Sequence, residues 1–442
     1  MKTIFFICRQ ILPTFVLLLT LAAPVYTQGV TNRDTLSLAK EIAYIGEFGK
    51  AAKLLADFNS RNATPESLEF LAWVEHWRGR EQSAIKNLKL IPGWDSGNSS
   101  VRILLDEIKA FRSPIIESSY EFNSDDQPMS LSNYHIKGNI YRSWLFSPGA
   151  SLRYLSYNSS YGNGTSDYLW YEASNRIGLN SAKIIFELKA GGLTSYFGDK
   201  REFTWRVMVS KQLFKKITLE LSAGRTPYLY TLKSVYHSEE PLMNNFVTGA
   251  LKFNSKDNYR AELSYISNNF GKDERVYTTY FWLLAPILKS DYLRLDAGYS
   301  FNFSNSTSST FKPASDINEN ITPSVGLQFK GMYDPYFSPI NQYINSAVIS
   351  ATIKGGKLLS ISTKLVYGFV AWSDNPTLWE QSVNSISTYQ TYFSKLKFSP
   401  VEFEAKADLK LSDKITLSAF YIYNNLAFYK LNKANFSIKY VL

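Results

Sequence analysis

Few residues of this chain are of the types that carry out nucleophilic or acid–base chemistry. There are only 3 histidines, His76, His135 and His237, and none lies beside a Gly-x-Ser-x-Gly motif of the kind that holds a nucleophilic serine. The single cysteine, Cys8, lies in an N-terminal segment that we expect to be removed from the mature protein. The mature protein would then have no disulfide and no thiol catalysis, and a zinc site could use only His and carboxylate ligands. We predict no metal site and no cofactor.

The most suggestive carboxylates are Glu402 and Glu404, which are separated by one residue. Glycosidases hold two carboxylates on either side of one bond, so this pair is a candidate for catalysis. Lys406 and Lys410 lie on the same face, however, and a ladder of mixed charges along a strand is the simpler interpretation. We expect a protein that is not an enzyme, with a lipid-modifying enzyme of the outer membrane as the weaker alternative.

These charges belong to one of many segments in which polar and apolar residues alternate. Helical spacing ends at Pro114, and from there to the C-terminus the period is two. The clearest segments are 203–212, 292–303, 359–369 and 401–411. A period of two indicates β-strands with one apolar and one polar face. At roughly ten residues per transmembrane strand, the region 114–442 has room for about 16 strands and their connections.

The C-terminal segment indicates where such strands would lie. Phe436, Ile438, Tyr440 and Leu442 share one face of a strand that ends with the chain, as is typical of the closing strand of an outer-membrane β-barrel. After the N-terminal segment no stretch approaches the roughly 20 apolar residues of a transmembrane helix, so any crossing must use strands. The predicted fold is an all-β transmembrane antiparallel barrel, wide enough to leave an aqueous channel.

The composition fits this interpretation. Aromatic residues make up 15% of the chain and charged residues 19%, and the formal net charge is +10. A polar average is compatible with a membrane protein, because every second residue of a barrel strand faces water. The basic residues are scattered through alternating segments and form no basic arm or stripe, so nucleic-acid binding is not expected.

The N-terminus has the pattern of a secretory signal peptide. Lys2 and Arg9 precede an apolar run over 11–23 that is too short to span a bilayer, and the polar stretch around Thr27 offers a cleavage site. We predict a signal peptide over 1–28. The mature protein is predicted to lie in the cell outer membrane, in contact with outer-membrane lipid.

Residues 29–113 have helical spacing and contain a repeat. A set of small and apolar residues recurs after 33 positions, namely Leu38, Ala39, Gly46, Ala51 and Leu55 as Leu71, Ala72, Gly79, Ala84 and Leu88. Small residues where two helices touch, and a glycine between them, are what a tetratricopeptide-type (TPR) unit of about 34 residues requires. We predict a periplasmic TPR-like domain over 29–113, with a capping helix over 101–111, followed by the barrel over 114–442. A small helical bundle with coincidental spacing is the alternative.

The strand pattern places many charged side chains on the lumen-facing side of the predicted barrel. They are Arg176, Arg206, Arg260, Glu262, Arg294, Asp296, Glu402, Glu404 and Lys406, together with Glu172, Glu187, Lys189, Glu220, Lys364 and Asp408. A ladder of both signs would brace the wall and keep the pore hydrated. Alternatively, some of these groups would hydrogen-bond the hydroxyls of a sugar chain as it passes. The aromatic surplus is expected mostly on the lipid-facing side.

Two motifs resemble those of a known family. The segment Gly331–Pro339 ends in Tyr-Phe-Ser-Pro, and it is similar to the Gly-rich Tyr-Phe-Ser-Pro signature in the C-terminal barrel of cellulose synthase operon protein C. The segment Gly224–Pro227 resembles the Arg-x-Pro segment of that family. YaiO-type outer-membrane proteins, in which a short repeat domain is joined to a barrel, are a related resemblance.

The resemblance implies a porin through which a secreted polysaccharide leaves the cell. It implies further that the helical repeats engage the polymer or periplasmic proteins of a synthase complex. A general porin, or a scaffold without cargo, is the alternative. The candidates for a pore constriction are Arg225, Tyr333, Tyr336, Phe337 and Ser338.

Both motifs contain prolines, which restrict the backbone. Pro335 and Pro339 bracket a segment that cannot join a regular strand ladder. This segment would fold into the lumen as a constriction, cap a loop at the mouth, or form a rigid connection between two strands. Arg225, which is followed closely by Pro227, would be a gate residue or an ion-pair partner at the rim.

Overall fold

The structure is a computed structural model of the chain. It describes residues 35–442 with gaps at 45, 94–98, 126–128, 160–164, 180–181, 196–200, 215, 229–241, 256–257, 272, 314–327, 330, 334, 357, 384–385 and 427–429. The predicted signal peptide, Cys8 and His237 therefore lie outside the described residues.

The N-terminal part consists of helices. In the described chain they are α1 (Thr35–Tyr44), α2 (Phe48–Asn62), α3 (Pro65–Trp77), α4 (Glu81–Lys89) and α5 (Ser99–Arg112). Gly46 separates α1 from α2 and Gly79 separates α3 from α4, and both have positive φ, 89° and 73°, which glycine adopts at little cost. The two copies of the sequence repeat thus form two helical hairpins. None of these described helices is long and apolar enough to cross a bilayer.

The hairpins bury the small residues of the repeat in two cores. The first core contains Ala39, Ala51, Leu55, Phe70, Leu71 and Val74. The second contains Leu68, Ala72, Ala84 and Leu88 and, from α5, Val101, Leu104 and Ile108, so α5 covers the second hairpin. Leu38 differs from its counterpart Leu71, because it is exposed. Leu71 faces the first hairpin, whereas no described helix precedes α1.

The barrel wall is an antiparallel sheet. Its strands are β1 (Ile115–Asp125), β2 (Met129–Asn139), β3 (Ser147–Ser159), β4 (Thr165–Leu179), β5 (Ile184–Ser195), β6 (Arg201–Phe214), β7 (Ile217–Pro227), β8 (Met243–Asn254), β9 (Arg260–Asn269), β10 (Arg275–Lys289), β11 (Leu293–Ser306), β15 (Ile340–Gly355), β16 (Leu359–Val383), β17 (Ile386–Phe398), β18 (Val401–Lys410), β19 (Ile415–Asn425) and β20 (Lys430–Val441). Three short strands, β12 (Phe311–Pro313), β13 (Gln328–Phe329) and β14 (Gly331–Tyr333), lie in the connection between β11 and β15.

The wall is closed because β1 pairs with β20. Their register runs from Ile115 opposite Val441 to Asp125 opposite Leu431, and the Leu442 N–H donates to the Pro114 carbonyl oxygen at 3.0 Å. Strands β17 and β18 pair one after the other with β16 and make up a single crossing. The barrel therefore has 16 strands, and the predicted fold, a small helical region followed by an antiparallel barrel, is confirmed.

An even number of strands brings both ends of the barrel chain to the same side. The side where β1 begins and β20 ends is termed the terminal end, and the opposite side is termed the loop end. The longest connections, 228–242 and 307–339, are both at the loop end.

Strand β16 has 25 residues and extends past the wall at the loop end as a hairpin with β17. The chain rejoins the wall at Pro400, between β17 and β18, where the Gly368 N–H donates to the Pro400 carbonyl oxygen at 2.8 Å. A Cβ atom at position 368 would lie 2.5 Å from the Cδ and Cγ atoms of Pro400. The irregularity in β17–β18 therefore requires glycine on the neighbouring strand.

The helical region contacts the barrel at the terminal end, through the turn between β2 and β3. The Tyr141 hydroxyl donates to the Glu81 carboxylate at 2.9 Å and lies 3.1 Å from the Gly79 carbonyl oxygen. The Phe111 ring packs on the Tyr141 ring with centroids 4.5 Å apart. Burial and the carboxylate of Glu81 raise the pKa of Tyr141, so the phenol stays protonated and continues to donate.

Replacement of Gly368 by alanine is expected to impair folding of the barrel. The added Cβ overlaps the rigid Pro400 ring, and such overpacking costs about 1–3 kcal/mol. The folded fraction can be measured from the heat-dependent gel mobility of the detergent-refolded protein. Gly249→Ala is the matched control, because its Cβ would meet only the Leu221 Cδ2 atom at 3.5 Å. Equal folded fractions for the two variants would contradict the argument.

Tyr141→Phe is expected to loosen the helical region. The buried Glu81 carboxylate loses its hydroxyl donor, which costs about 1–3 kcal/mol, and hydrogen exchange in α4 should become faster. In the unmodified protein the folded pKa of Tyr141 is raised above its ordinary value of 10.0. The stabilisation is therefore complete below that pH and is lost as the pH rises through the folded pKa.

The control for this experiment is Tyr421→Phe, whose hydroxyl lies 3.0 Å from the Asn432 Oδ1 atom on the barrel. Tyr421→Phe should not change the rate of hydrogen exchange in α4. If Tyr141→Phe also leaves it unchanged, the proposed contact does not hold the helical region.

Candidate functional site

The two faces of the barrel wall differ in polarity. Thr204 and Ser300 are buried on the lumen side, whereas Phe203, next to Thr204, is 61% exposed on the outside. The pairing register carries this alternation around the wall. It places the charged lumen candidates on the inner face: Arg176, Arg206, Arg260, Glu262, Arg294, Asp296, Glu402, Glu404 and Lys406.

Most lumenal charges form ion pairs within the wall. Five simple pairs at 2.6–3.0 Å join Lys137 to Glu117, Lys189 to Glu187, Lys252 to Glu220, Lys406 to Asp408 and Lys433 to Glu121. At longer range the opposite charges of a pair largely cancel each other's electrostatic potential. Salt screens the remaining potential over about 8 Å. These pairs keep the wall hydrated without a strong field of one sign.

Asp296 holds two of the predicted arginines. It is 1% exposed, and its Oδ2 atom lies 2.9 Å from Arg260 Nη2 and 2.9 Å from Arg294 Nε. Arg294 also donates to the Asn258 carbonyl oxygen at 3.2 Å. Glu262 lies on the same face as Arg260 and is opposite Lys252 in the register. The two guanidinium groups are therefore fixed against the wall.

Glu402 and Glu404 share one lysine. The Lys364 Nζ atom lies 2.7 Å from a Glu402 carboxylate oxygen and 3.2 Å from a Glu404 carboxylate oxygen. Lys406, the next residue on that face, pairs with Asp408. The carboxylates thus belong to a charge ladder and do not face each other across an open gap.

Arg176 and Arg206 form no ion pair with a described residue. The Arg206 guanidinium lies 5.9 Å from the centroid of the Phe246 ring. Arg176 is opposite Glu187 in the register, but Glu187 binds Lys189 at 2.9 Å. These two cations are consequently not neutralised by the described part of the wall.

Tyr336 lies in an aromatic cluster at the loop end. Its side chain is 0% exposed, and its ring stacks on Phe270 with centroids 4.0 Å apart. Phe270 meets Tyr228 edge-on at 4.7 Å, and Val276 of β10 packs in the same cluster. The cluster ties the Tyr-Phe-Ser-Pro segment to the connections that follow β7 and β9.

The other candidates on this segment are also packed. Ser338 Oγ accepts from the Thr310 N–H at 2.8 Å and lies 2.9 Å from Thr310 Oγ1. The Phe337 ring packs on Tyr333 at 4.8 Å, and Tyr333 packs on Phe311 at 5.1 Å. Tyr333, Phe337 and Ser338 are buried, so the segment is a compact unit at the loop end of the barrel.

Arg225 lies at the rim of the barrel. It is opposite Trp205 in the register, which is the outward face, and its guanidinium forms a 2.7 Å ion pair with Glu202. It also donates to the Phe203 carbonyl oxygen at 3.1 Å. These polar contacts are with β6, so the geometry corresponds to an ion-pair partner at the rim.

A cavity of about 540 Å³ lies beneath the Tyr-Phe-Ser-Pro segment. Phe337, Pro339 and Tyr228 bound it on the loop side. Its wall combines apolar side chains such as Ile266, Val366 and Leu426 with hydroxyl and amide groups, from Ser264, Asn268, Thr278, Ser300, Asn302, Ser304, Gln342, Ser346 and Asn424, and with Lys364, Glu402 and Glu404 on one side. Such a cavity offers both apolar ring faces and many hydrogen-bonding groups to a ligand.

A second cluster, of hydrophobic side chains, lines the lumen mainly on strands β2 to β5. It contains Leu131, Leu155, Tyr157, Tyr168, Trp170, Leu193 and Met243. We expected most aromatic residues on the lipid side and therefore missed these. Tyr168 and Trp170 lie on the same face of β4 as Glu172 and Arg176, an even number of residues away. This alternation was the signal in the sequence for their inward orientation. Tyr228 and Phe270 lie in connections, where no periodicity could have indicated their position.

Comparison with solved structures finds the same fold. The chain is similar to a structure named "Bacterial polysaccharide outer membrane secretin", with a TM-score of 0.53 and 10% identity over 75% of this chain and 99% of that chain. It is also similar to OccAB4 from Acinetobacter baumannii, with a TM-score of 0.36 and 10% identity over 75% of this chain and 97% of that chain. For BamA from Haemophilus ducreyi the TM-score is 0.37, with 9% identity over 78% of each chain.

No protein-family model and no curated protein matches the sequence. At 10% identity the similarity to the secretin concerns the fold alone. The chain has the closed β-barrel fold of an outer-membrane protein.

The double variant Tyr336→Ala Phe337→Ala is expected to widen the passage at the loop end. It removes the Tyr336 ring from the aromatic cluster and the Phe337 ring from the lining of the cavity, so the single-channel conductance in planar bilayers should increase several-fold. Tyr265→Ala is the matched control, since Tyr265 is an exposed ring on the outer face. Equal conductance of the double variant and the unmodified protein would show that the segment does not restrict the pore.

Proposed function

We propose that this protein is an outer-membrane channel that exports a secreted polysaccharide. Within this proposal the terminal end faces the periplasm, as expected for a barrel with an even number of strands. The polymer enters near the helical region, passes along the charged wall and leaves past the aromatic cluster at the loop end.

The observation that carries the proposal is the cavity beneath Phe337. A pyranose ring has apolar C–H faces and a rim of hydroxyl groups, and the cavity offers the matching partners. Phe337 and Tyr280 provide aromatic surface, while neutral groups such as Ser300 and Asn302 donate and accept hydrogen bonds. Neutral polar groups bind hydroxyls without the desolvation penalty of a full charge, which suits a chain that must bind weakly and move on.

The similarity to the polysaccharide secretin supports the same proposal. That structure is matched over 99% of its length, and its name describes a channel for a sugar polymer. The resemblance of the Tyr-Phe-Ser-Pro segment to the cellulose synthase operon protein C signature points to the same class of cargo. In this chain that segment is the part that covers the cavity.

The helical region has exposed apolar side chains that a partner or the polymer could cover. Tyr44 is 74% exposed, and Leu90 and Ile103 are also exposed. Within the proposal this region receives the polymer or binds a periplasmic protein of the machinery that makes it. Its contact with the barrel through Tyr141 keeps it beside the terminal end.

The proposal is tested by deleting the gene and measuring cell-surface polysaccharide. We expect loss of the polymer, restoration by the unmodified gene, and reduced restoration by a variant in which Ser300 and Asn302 are both replaced by valine. Tyr265→Ala should restore export fully. Unchanged surface polysaccharide after deletion, together with conductance to small ions, would favour a general porin instead.

A further inference from the structure

A second lumenal cavity, at the terminal end, differs in charge from the one beneath Phe337. It has a volume of about 380 Å³ and is lined by residues of β1 to β5 and by Lys439 of β20. Its charged lining comprises five Lys or Arg side chains and three Glu side chains, an excess of two positive charges (5 − 3). The cavity beneath Phe337 has one Lys and two Glu side chains, an excess of one negative charge.

Two of the three glutamates are already engaged. Glu117 pairs with Lys137 at 3.0 Å, and Glu187 pairs with Lys189 at 2.9 Å. Glu172 is then the single carboxylate left in this cavity. Three cations, Arg153, Arg176 and Lys439, form no ion pair with any described residue, whereas most other lumenal cations do.

Arg153 stacks on an aromatic ring, and its buried Nε atom has no hydrogen-bond partner among the described residues. Its guanidinium lies over the Trp170 ring, 4.4 Å from the centroid. Stacking on an aromatic face leaves the in-plane N–H groups available. The Nε atom of Arg153 and the Nε2 atom of its cross-strand neighbour His135 are buried and make no hydrogen bond to the described residues. Both residues line the cavity, in which an anion could accept hydrogen bonds from the Arg153 guanidinium.

We propose that this cavity is a binding subsite for an anionic group, a carboxylate or a phosphate ester, carried by the exported polymer. Arg153 and Arg176 bind the anion, and Trp170 positions Arg153. The neighbouring Lys439 adds positive charge at the terminal end. Guanidinium groups suit this role because they donate two parallel hydrogen bonds to a carboxylate or phosphate. The identity of the ligand as part of a polymer rests on the proposed function, whereas the anion site itself does not.

The test is calorimetric titration of the full-length mature protein in detergent at low salt. The probes are trigalacturonate, maltotriose as the neutral trisaccharide, and inorganic phosphate. We expect trigalacturonate to bind about tenfold more tightly than maltotriose, because its carboxylates form charge-assisted hydrogen bonds. Phosphate should compete with it but bind more weakly, since it lacks the sugar hydroxyls that polar lining residues such as Ser151 and Ser174 can hydrogen-bond.

The variants are Arg176→Gln alone and Arg153→Gln Arg176→Gln together. Neither arginine forms an ion pair with a described residue, so the barrel is expected to fold, as judged by its gel mobility. The preference for trigalacturonate over maltotriose should fall in the first variant and vanish in the second. Lys406→Gln is the control, because it removes another lumenal cation while Asp408 retains its 2.6 Å hydrogen bond from Ser418.

Equal binding of the acidic and neutral trisaccharides would overturn the proposal, as would an unchanged preference in the double variant. Binding of phosphate without any binding of trigalacturonate would overturn the assignment to a sugar-linked anion. If gene deletion abolishes export but trigalacturonate does not bind, the channel function stands and the subsite is wrong. If trigalacturonate binds as expected and export is unaffected by deletion, the anion site stands and the export function is wrong.

Discussion

The pairing of β1 with β20 is the contact on which the rest of the structure depends. Within a bilayer, backbone N–H and C=O groups have no water to bind, so a sheet can cross only if it has no open edge. The register between Ile115 and Val441 at one end and Asp125 and Leu431 at the other removes that edge. It also brings Pro114 beside Leu442, which places the helical region at the end where the barrel both begins and finishes.

Closure with 16 strands creates a space that wall side chains alone do not fill. Two kinds of side-chain contact occupy that space. Along the wall, opposite charges such as Lys364 and Glu402 pair with each other, so the surface stays wet while its net field is small. At the loop end, the connections after β7, β9 and β11 turn inward and pack aromatic rings around Tyr336. The charge pairs keep the lumenal wall polar, and the aromatic cluster fills part of the space at the loop end.

The lumen is not uniform along its length. Near the terminal end the cations exceed the carboxylates, and Arg153 and Arg176 form no ion pair within the described part of the chain. Farther along, beneath Phe337, apolar side chains alternate with hydroxyl and amide groups, and carboxylates exceed cations by one. A polymer passing from one end to the other would therefore meet first a positively charged region and then one suited to uncharged hydroxyl groups.

The sequence by itself determined the class of fold and the division of the chain. Alternation with period two identifies strands and assigns each residue to a face, because side chains on a strand point in opposite directions in turn. For this reason Arg260, Asp296 and Glu404 could be placed on the lumen side without coordinates. The recurrence of Gly46 as Gly79 likewise identified two hairpins, since both glycines have the positive φ of a tight connection. These features are local, and a local pattern is enough to recognise them.

Only the tertiary structure decided which of these residues meet. The alternation of side chains along β7 places Arg225 on the outer face, but it does not show that Arg225 binds Glu202 at the rim. Tyr228 and Phe270 lie in connections that have no period, and they reach Tyr336 because the wall brings distant loops together. Which cations bind a carboxylate also depends on the register between neighbouring strands, so Glu187 binds Lys189 and not Arg176, which is opposite it in the register. Periodicity fixes the direction of a side chain, but its partners are set by the closed three-dimensional arrangement of the strands.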